Sequence, residues 1–163
     1  GVRTVVDLTP VRRIDWFMEI ASRVDIAMVA CTGYYLERLT PKPLAVLDED
    51  QMVNRMVREL TEGIDTTGVR AGIIKVAANL PELTEWEQQV FRAGARAQKL
   101  TGACIATHAC AGSRAQADLL LEAASDGPSR RRVRRRVRGE GAEPIFDLLA
   151  PTRLSAAPWR ARR

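Results

Sequence analysis

The chain has 163 residues, of which 46% are hydrophobic and 28% charged, as in an ordinary soluble globular domain with a sizeable core. Its formal net charge of +5 belongs to the C-terminal part, because residues 1–125 carry 14 basic and 16 acidic side chains whereas residues 126–163 carry 11 and 4. The sequence has no apolar run of membrane-spanning length and no signal peptide at its start, so we expect no transmembrane helix and cytoplasmic residence.

Four short runs in the first 108 residues are typical of buried strands, because nearly every position is apolar and either β-branched or small. They are Thr4–Leu8, Ile26–Thr32, Gly72–Ala77 and Ala103–Thr107. The three cysteines, an odd number without a CxxC pair, argue against a disulfide framework or a structural zinc site. We expect Cys31 and Cys104, which lie in these runs, to be small buried residues.

Helical patterns alternate with the strands. Apolar residues recur at helical spacing over Ile14–Val24, Asp48–Glu62, Thr84 to about Leu100, and Ser113–Ala124. Asp48, with Gln51 three residues later, is a predicted N-cap, and Thr84 with Glu87 forms a capping-box sequence. Strands that alternate with helices predict βαβ units and a parallel sheet, so the fold class is α/β.

Ionisable residues stand at or near the ends of three predicted strands, where apolar residues would otherwise be expected. They are Asp7, Lys75 and His108. In parallel α/β folds the chemistry lies at the C-terminal ends of the strands, so these positions predict an active-site rim. Lys75 is the strongest misfit, because desolvating an ammonium group inside an apolar run is costly. Taken alone, Lys75 also fits a side chain that extends to solvent, His108 a hydrogen-bonded structural residue, and Asp7 a strand-end cap.

Five blocks of the sequence, with the spacing between them, resemble the phosphotriesterase family, a group of metal-dependent hydrolases within the amidohydrolases that includes lactonases. The blocks are Val6–Pro10, Ala30–Pro41, Arg58–Asp65, Gly68–Ala77 and Ile105–His108. The resemblance covers about residues 2–128 and implies a (β/α)8 TIM barrel with two zinc ions, or two other divalent transition-metal ions, at its C-terminal face. Residues 1–128 would then be a partial barrel domain that holds roughly strands two to five with their helices.

The resemblance also implies roles for three residues. Lys75 holds the place of a carboxylated lysine that bridges both metals and takes part in catalysis, and His108 holds the place of a histidine that binds one metal. Tyr35 matches a tyrosine that lines the pocket in lactonase-like members. The implied reaction is hydrolysis of a phosphotriester, lactone or ester by a metal-bridging hydroxide, with small organophosphates, lactones or esters as substrates.

Other parts of the family pattern are missing from this sequence. The His-x-His pair of strand one would precede Gly1, which suggests a fragment, and the strand-eight aspartate would follow Arg163. The strand-six histidine would fall in an arginine run, and His108 is the only histidine present. The chain thus offers two of six expected metal-site residues. A catalytically inactive barrel remnant therefore stays open as an alternative, and a second copy in a homo-oligomer is a candidate partner.

Residues 129–163 form a predicted basic tail, irregular or disordered. Seven arginines within Arg130–Arg138 cannot form the buried strand that is due there. Three explanations stay open for this run, in decreasing order of preference: a shifted reading frame, a solvated tail, and an arm that binds nucleic acid or an acidic membrane surface. No aromatic residues interleave with the arginines, which disfavours a nucleic-acid partner. We expect no membrane partner. Glu143–Leu149 predicts the start of an amphipathic helix, and Ala150–Arg163 has no period.

Overall fold

A computed structural model of the chain describes residues 1–78 and 83–108, together with positions 116, 118, 119, 148 and 149. Its strands are β1 (Thr4–Asp7), β2 (Ala27–Gly33), β3 (Ile73–Ala77), β4 (Cys104–His108) and β5 (Leu148–Leu149). Its helices are α1 (Ile14–Arg23), α2 (Lys42–Ala45), α3 (Glu49–Thr61) and α4 (Glu85–Thr101), with a 3-10 turn at Glu37–Leu39. The four predicted strands are confirmed to within one residue, and α1, α3 and α4 confirm three of the four predicted helices.

The sheet has the strand order β1-β2-β3-β4-β5, and β1 to β4 are parallel. Helices connect these four strands, so the described fold is a partial (β/α)8 barrel of class α/β, as predicted. β5 is antiparallel, because Leu148 and Leu149 pair with Ala106 and Ile105 of β4. For these two leucines the predicted helix over Glu143–Leu149 is wrong, since their backbone bonds extend the sheet.

The main core lies between the sheet and helices α3 and α4. Ile74 and Val76, fully buried, project from one face of β3 toward α4. Gly94 of α4 permits this close approach, because a Cβ at that position would lie 2.9 Å from Val76 Cγ1. The outer face of β3 is therefore sealed by packing, and chemistry is restricted to its inner face.

The inner face of β3 belongs to a smaller cluster. Ile73 packs there with Cys31 and Ala106. Because side chains alternate along a strand, Lys75 lies on the same face as Ile73. Cys31 is fully buried, as predicted, whereas Cys104 at the start of β4 is only partly buried.

Capping boxes begin the two longest helices, as the sequence predicted. At α3, Asp48 Oδ1 accepts from the Gln51 amide at 2.8 Å while Gln51 Oε1 accepts from the Asp48 amide at 3.0 Å. At α4, Thr84 Oγ1 accepts from the Glu87 amide at 3.1 Å and Glu87 Oε2 accepts from the Thr84 amide at 3.3 Å. These reciprocal bonds satisfy amide groups that the helix itself leaves without a partner.

Glu87 is buried as well as part of the cap, and this burial raises the pKa of its carboxyl group. Folding therefore favours the neutral form, so the carboxyl stabilises the fold most at low pH and this contribution is lost as the pH rises through the folded pKa. Because glutamine keeps the cap without the charge, we expect Glu87→Gln to raise the free energy of unfolding at pH 7 by at most about 1 kcal/mol.

Urea denaturation at about pH 7 and about pH 3.5 checks this expectation, with no gain expected at the acidic pH, where both side chains are neutral. Glu85→Gln is the control, because Glu85 is exposed in the same helical turn. The free energy of unfolding should therefore rise only at about pH 7 and only in Glu87→Gln. An equal gain at both pH values, or an equal gain in Glu85→Gln, would show that the effect does not come from the buried charge of Glu87.

β1 is the exposed part of the sheet. Val5 and Val6 point to opposite faces of the strand, yet 40% and 48% of their surfaces are exposed. Trp16 and Ile20 of α1 are also exposed. Among the strands that the structure describes, none pairs with the outer edge of β1. The partial barrel is therefore open on this side.

The sequence did not predict α2 or the 3-10 turn, because elements of four and three residues are too short to show a period. Of the predicted helix Ser113–Ala124, positions 116, 118 and 119 are helical, and its other residues lie outside the described part, as does Arg130–Arg138. Across the described residues, no helix combines the length and apolar character needed to cross a membrane.

Candidate functional site

The carboxyl ends of β2, β3 and β4 meet at one end of the sheet. In the register of the strands, Gly33 lies opposite Lys75, and Ala77 lies opposite His108. His108 ends β4. Lys75 lies two residues before the end of β3, because the strand continues through Ala77, which still pairs with β4.

Lys75 is a buried amine. Only 3% of its surface is exposed, which contradicts the alternative that this side chain extends into solvent. Burial lowers the pKa of its amino group, because desolvation penalises the charged form, and the neighbouring Cys31 opposes this shift to a smaller extent. The inner face of β3 thus holds an amine whose neutral, nucleophilic form is favoured relative to that of an exposed lysine.

His108 lies close to both other residues that the resemblance singled out. Its ring centroid is 5.4 Å from that of Tyr35, with the two planes tilted by 57°. Burial lowers the pKa of His108, and the charge of Lys75 lowers it further. At neutral pH the imidazole is therefore largely uncharged and retains a lone pair on one ring nitrogen. Tyr35, Lys75 and His108 thus lie at one end of the sheet.

Asp7 is held in a structural role. Its Oδ1 accepts from the Thr9 amide at 3.0 Å, and its Oδ2 accepts from Arg12 Nε at 3.0 Å. Arg12 also donates to the Cys31 carbonyl at 2.8 Å and to Cys31 Sγ at 3.1 Å. These bonds confirm the strand-end cap for Asp7. Burial raises the pKa of the Cys31 thiol to about 11, so the thiol is protonated at neutral pH.

Sequence reasoning missed a buried ion pair of α3, in which Arg55 Nε lies 2.9 Å from Glu59 Oε1. Thr32 of β2 donates its hydroxyl to this pair, at 2.6 Å from Glu59 Oε2. One signal was present in the sequence: Glu59 follows Met52 and Met56 at helical spacing, and both methionines are fully buried. A charged residue on an apolar helix face indicates a buried partner.

The resemblance implies zinc, and the described residues alone do not fit a zinc centre. Zinc in proteins takes three or four protein ligands. Within the ranges that the structure describes, no group of three or more His, Cys, Asp or Glu side chains could hold a metal ion. Lys75, if carboxylated, and His108 would be two donors. Lys75 and His108 would therefore hold zinc only together with ligands from outside the described residues.

Comparison with known proteins decides the family. The model of the phosphotriesterase family matches residues 1–133. This chain belongs to the phosphotriesterase family. The phosphotriesterase homology protein of Mycobacterium tuberculosis (strain CDC 1551 / Oshkosh) is 38% identical over 143 residues, which cover 82% of this chain and 44% of that relative. The aryldialkylphosphatase of Saccharolobus solfataricus is 33% identical over 111 residues, which cover 66% of this chain and 35% of the relative.

A solved phosphotriesterase homology protein has the same fold over part of its length. The crystal structure of the Escherichia coli protein, complexed with phosphate in its active site, matches with a TM-score of 0.70 at 32% identity. The match covers 76% of this chain and 44% of the E. coli chain. The chain thus spans less than half the length of these phosphotriesterase relatives.

Proposed function

We propose that this chain forms part of the active centre of a phosphotriesterase-type hydrolase that cleaves phosphotriester, lactone or ester bonds in small molecules. The observation that carries the proposal is Lys75, a buried amine on the inner face of β3, whose strand pairs with β4, which ends at His108. Burial lowers the pKa of the Lys75 amino group. Membership of the family and the aryldialkylphosphatase among its relatives support the class of substrate.

The chemistry proposed for Lys75 is carboxylation by carbon dioxide. The amine lone pair forms a bond to the carbon, one C=O electron pair moves onto oxygen, and the nitrogen loses a proton to solvent water to give a carbamate anion. Burial supports this reaction because only the neutral amine is nucleophilic. A buried carbamate requires compensating positive charge.

Two zinc ions, when bound, would supply that charge together with Lewis acidity and a water of lowered pKa. His108 would offer an imidazole lone pair, and Tyr35 would line the substrate pocket beside it. Because the described residues provide only two donors, the proposal requires further ligands from outside them, either from the part of this chain beyond the described residues or from a second chain in a homo-oligomer.

The test is zinc and carbamate content of the full chain, purified with zinc and 13C-bicarbonate. We expect about two zinc ions per chain and a 13C carbamate signal by NMR, both lost in Lys75→Ala. Lys99→Ala is the matched control, because Lys99 is exposed on α4 and should leave both quantities unchanged. Hydrolysis of a chromogenic phosphotriester and a chromogenic lactone would then be measured on the same samples.

The outcomes separate the alternatives. Absence of zinc and carbamate from the wild-type chain would contradict the proposal and support the catalytically inactive remnant. Zinc and carbamate that depend on Lys75, without turnover of either substrate, would support the site and contradict the substrate class.

A further inference from the structure

Helix α3 holds two charged side chains one turn apart, of which Glu59 is buried and Arg55 half-buried. Arg55 Nε lies 2.9 Å from Glu59 Oε1, and the two side chains are 15% and 5% exposed. Taking both charges out of water is costly, and the attraction between them repays this cost only with good geometry and further hydrogen bonds. The partners that provide those bonds therefore indicate what the pair is for.

These partners are consecutive residues at the carboxyl end of β2. Thr32 Oγ1 donates to Glu59 Oε2 at 2.6 Å, and Arg55 Nη1 donates to the Gly33 carbonyl at 3.0 Å. The Arg55 guanidinium also lies 5.1 Å from the centroid of the Tyr34 ring. The ion pair thus contacts three successive residues of the chain, each through a different group.

The same segment is held from its other side by β3. Gly33 lies opposite Lys75 in the strand register, and the Tyr34 amide donates to the Lys75 carbonyl at 2.9 Å. The next residue is Tyr35, whose ring contacts His108. The segment held between the ion pair and β3 therefore leads directly into Tyr35, the residue whose ring contacts His108.

We propose that Arg55 and Glu59 are positioning residues of the candidate site. They fix Thr32–Tyr34 from the helix side, and through this segment they hold Tyr35 against His108. The inference rests on the proposed function for the importance of that site, but the contacts that carry it do not depend on zinc or substrate. The competing explanation is purely structural: the pair attaches α3 to the sheet, and its loss lowers stability without moving Tyr35.

NMR of the full chain distinguishes these explanations, because His108 is the only histidine and its imidazole protons form a single set of signals. Tyr35→Leu first defines how far the Tyr35 ring shifts these signals. In Arg55→Met we expect the nuclear Overhauser effect between the Tyr35 and His108 rings to disappear and the His108 signals to move most of the way to their positions in Tyr35→Leu. Glu59→Gln, which retains hydrogen-bonding atoms, should move them less and in the same direction.

Arg58→Met is the matched control, because Arg58 is exposed on the same helix and its replacement should leave the His108 signals in place. A folded Arg55→Met variant with an unchanged Tyr35–His108 effect would overturn the proposal. If Arg55→Met does not fold, Arg55→Lys takes its place, and an unchanged Tyr35–His108 effect in that folded variant would overturn the proposal. Lysine keeps the positive charge but lacks the guanidinium fork.

Unfolding of both Arg55 variants would assign the pair to global stability and also overturn the positioning role. These NMR signals are measured without zinc or substrate. The NMR experiment can therefore contradict the positioning role of Arg55 and Glu59 without testing the hydrolase function, and the zinc measurement can contradict the hydrolase function without testing the positioning role.

Discussion

Replacing Phe91 by alanine is expected to lower the free energy of unfolding by about 3–5 kcal/mol. Phe91 is fully buried on α4, in the same cluster as Ile74 and Val76 of β3. Truncation removes the transfer free energy of the ring and leaves a cavity that close-packed neighbours fill only in part. Urea denaturation followed by circular dichroism measures the change.

Leu100→Ala on the same helix is the control, because 69% of the Leu100 surface is exposed. We expect that replacement to change the free energy of unfolding by less than about 0.5 kcal/mol. Similar losses for the two variants would show that α4 does not form the core with the sheet in solution, and the packing described for β3 would then be wrong.

Gly33→Ala is expected to cost about 3 kcal/mol or more, through backbone strain and displacement of β3. Gly33 has φ 112°, a conformation that residues with a Cβ rarely adopt. A Cβ at this position would lie 1.9 Å from the Lys75 carbonyl oxygen and 2.9 Å from the Lys75 backbone nitrogen and carbonyl carbon. Because the obstacle is strand backbone, relief requires β2 and β3 to separate next to Lys75.

Gly68→Ala is the control that separates the cost of backbone strain from the cost of a steric clash with β3. Gly68 also has a positive φ, 71°, but among the described residues no atom lies within 4 Å of the position of its added Cβ. We expect this substitution to cost only about 1–2 kcal/mol, the ordinary price of the left-handed conformation. Equal losses in urea denaturation would mean that the close approach of Gly33 to Lys75 does not exist in solution.

Most of the fold could be predicted from local signals in the sequence. Apolar runs predict the strands because the inside of a parallel sheet accepts little else. The capping boxes at Asp48 and Thr84 fixed where α3 and α4 begin, since their bonds form within four residues of chain. The adjacency of Lys75 and His108 follows from the order of consecutive strands in βαβ units.

The site was less predictable where it depends on contacts between distant residues. Thr32 and Glu59 bond across 27 residues, and in the sequence Arg55 with Glu59 has the spacing of an ordinary surface pair on a helix. The contact between Tyr35 and His108 joins a loop to a strand two positions away in the sheet, so no periodicity encodes it. The resemblance identified Tyr35 as a pocket residue, but only the fold shows that its ring contacts His108.

Because β1 is exposed, we expect different parts of the molecule to open at different free energies. Segments with little buried apolar surface open locally at a lower free energy than the core, and amide hydrogen exchange reports such openings. β1 is that segment here, since Val5 and Val6 are exposed. The loop that follows β1 carries Arg12, which bonds to the Cys31 backbone and thiol. We therefore expect detachment of β1 to uncover the Cys31 thiol while β2 to β4 stay folded, and the rate at which a thiol reagent modifies Cys31 would measure how often this side of the barrel opens.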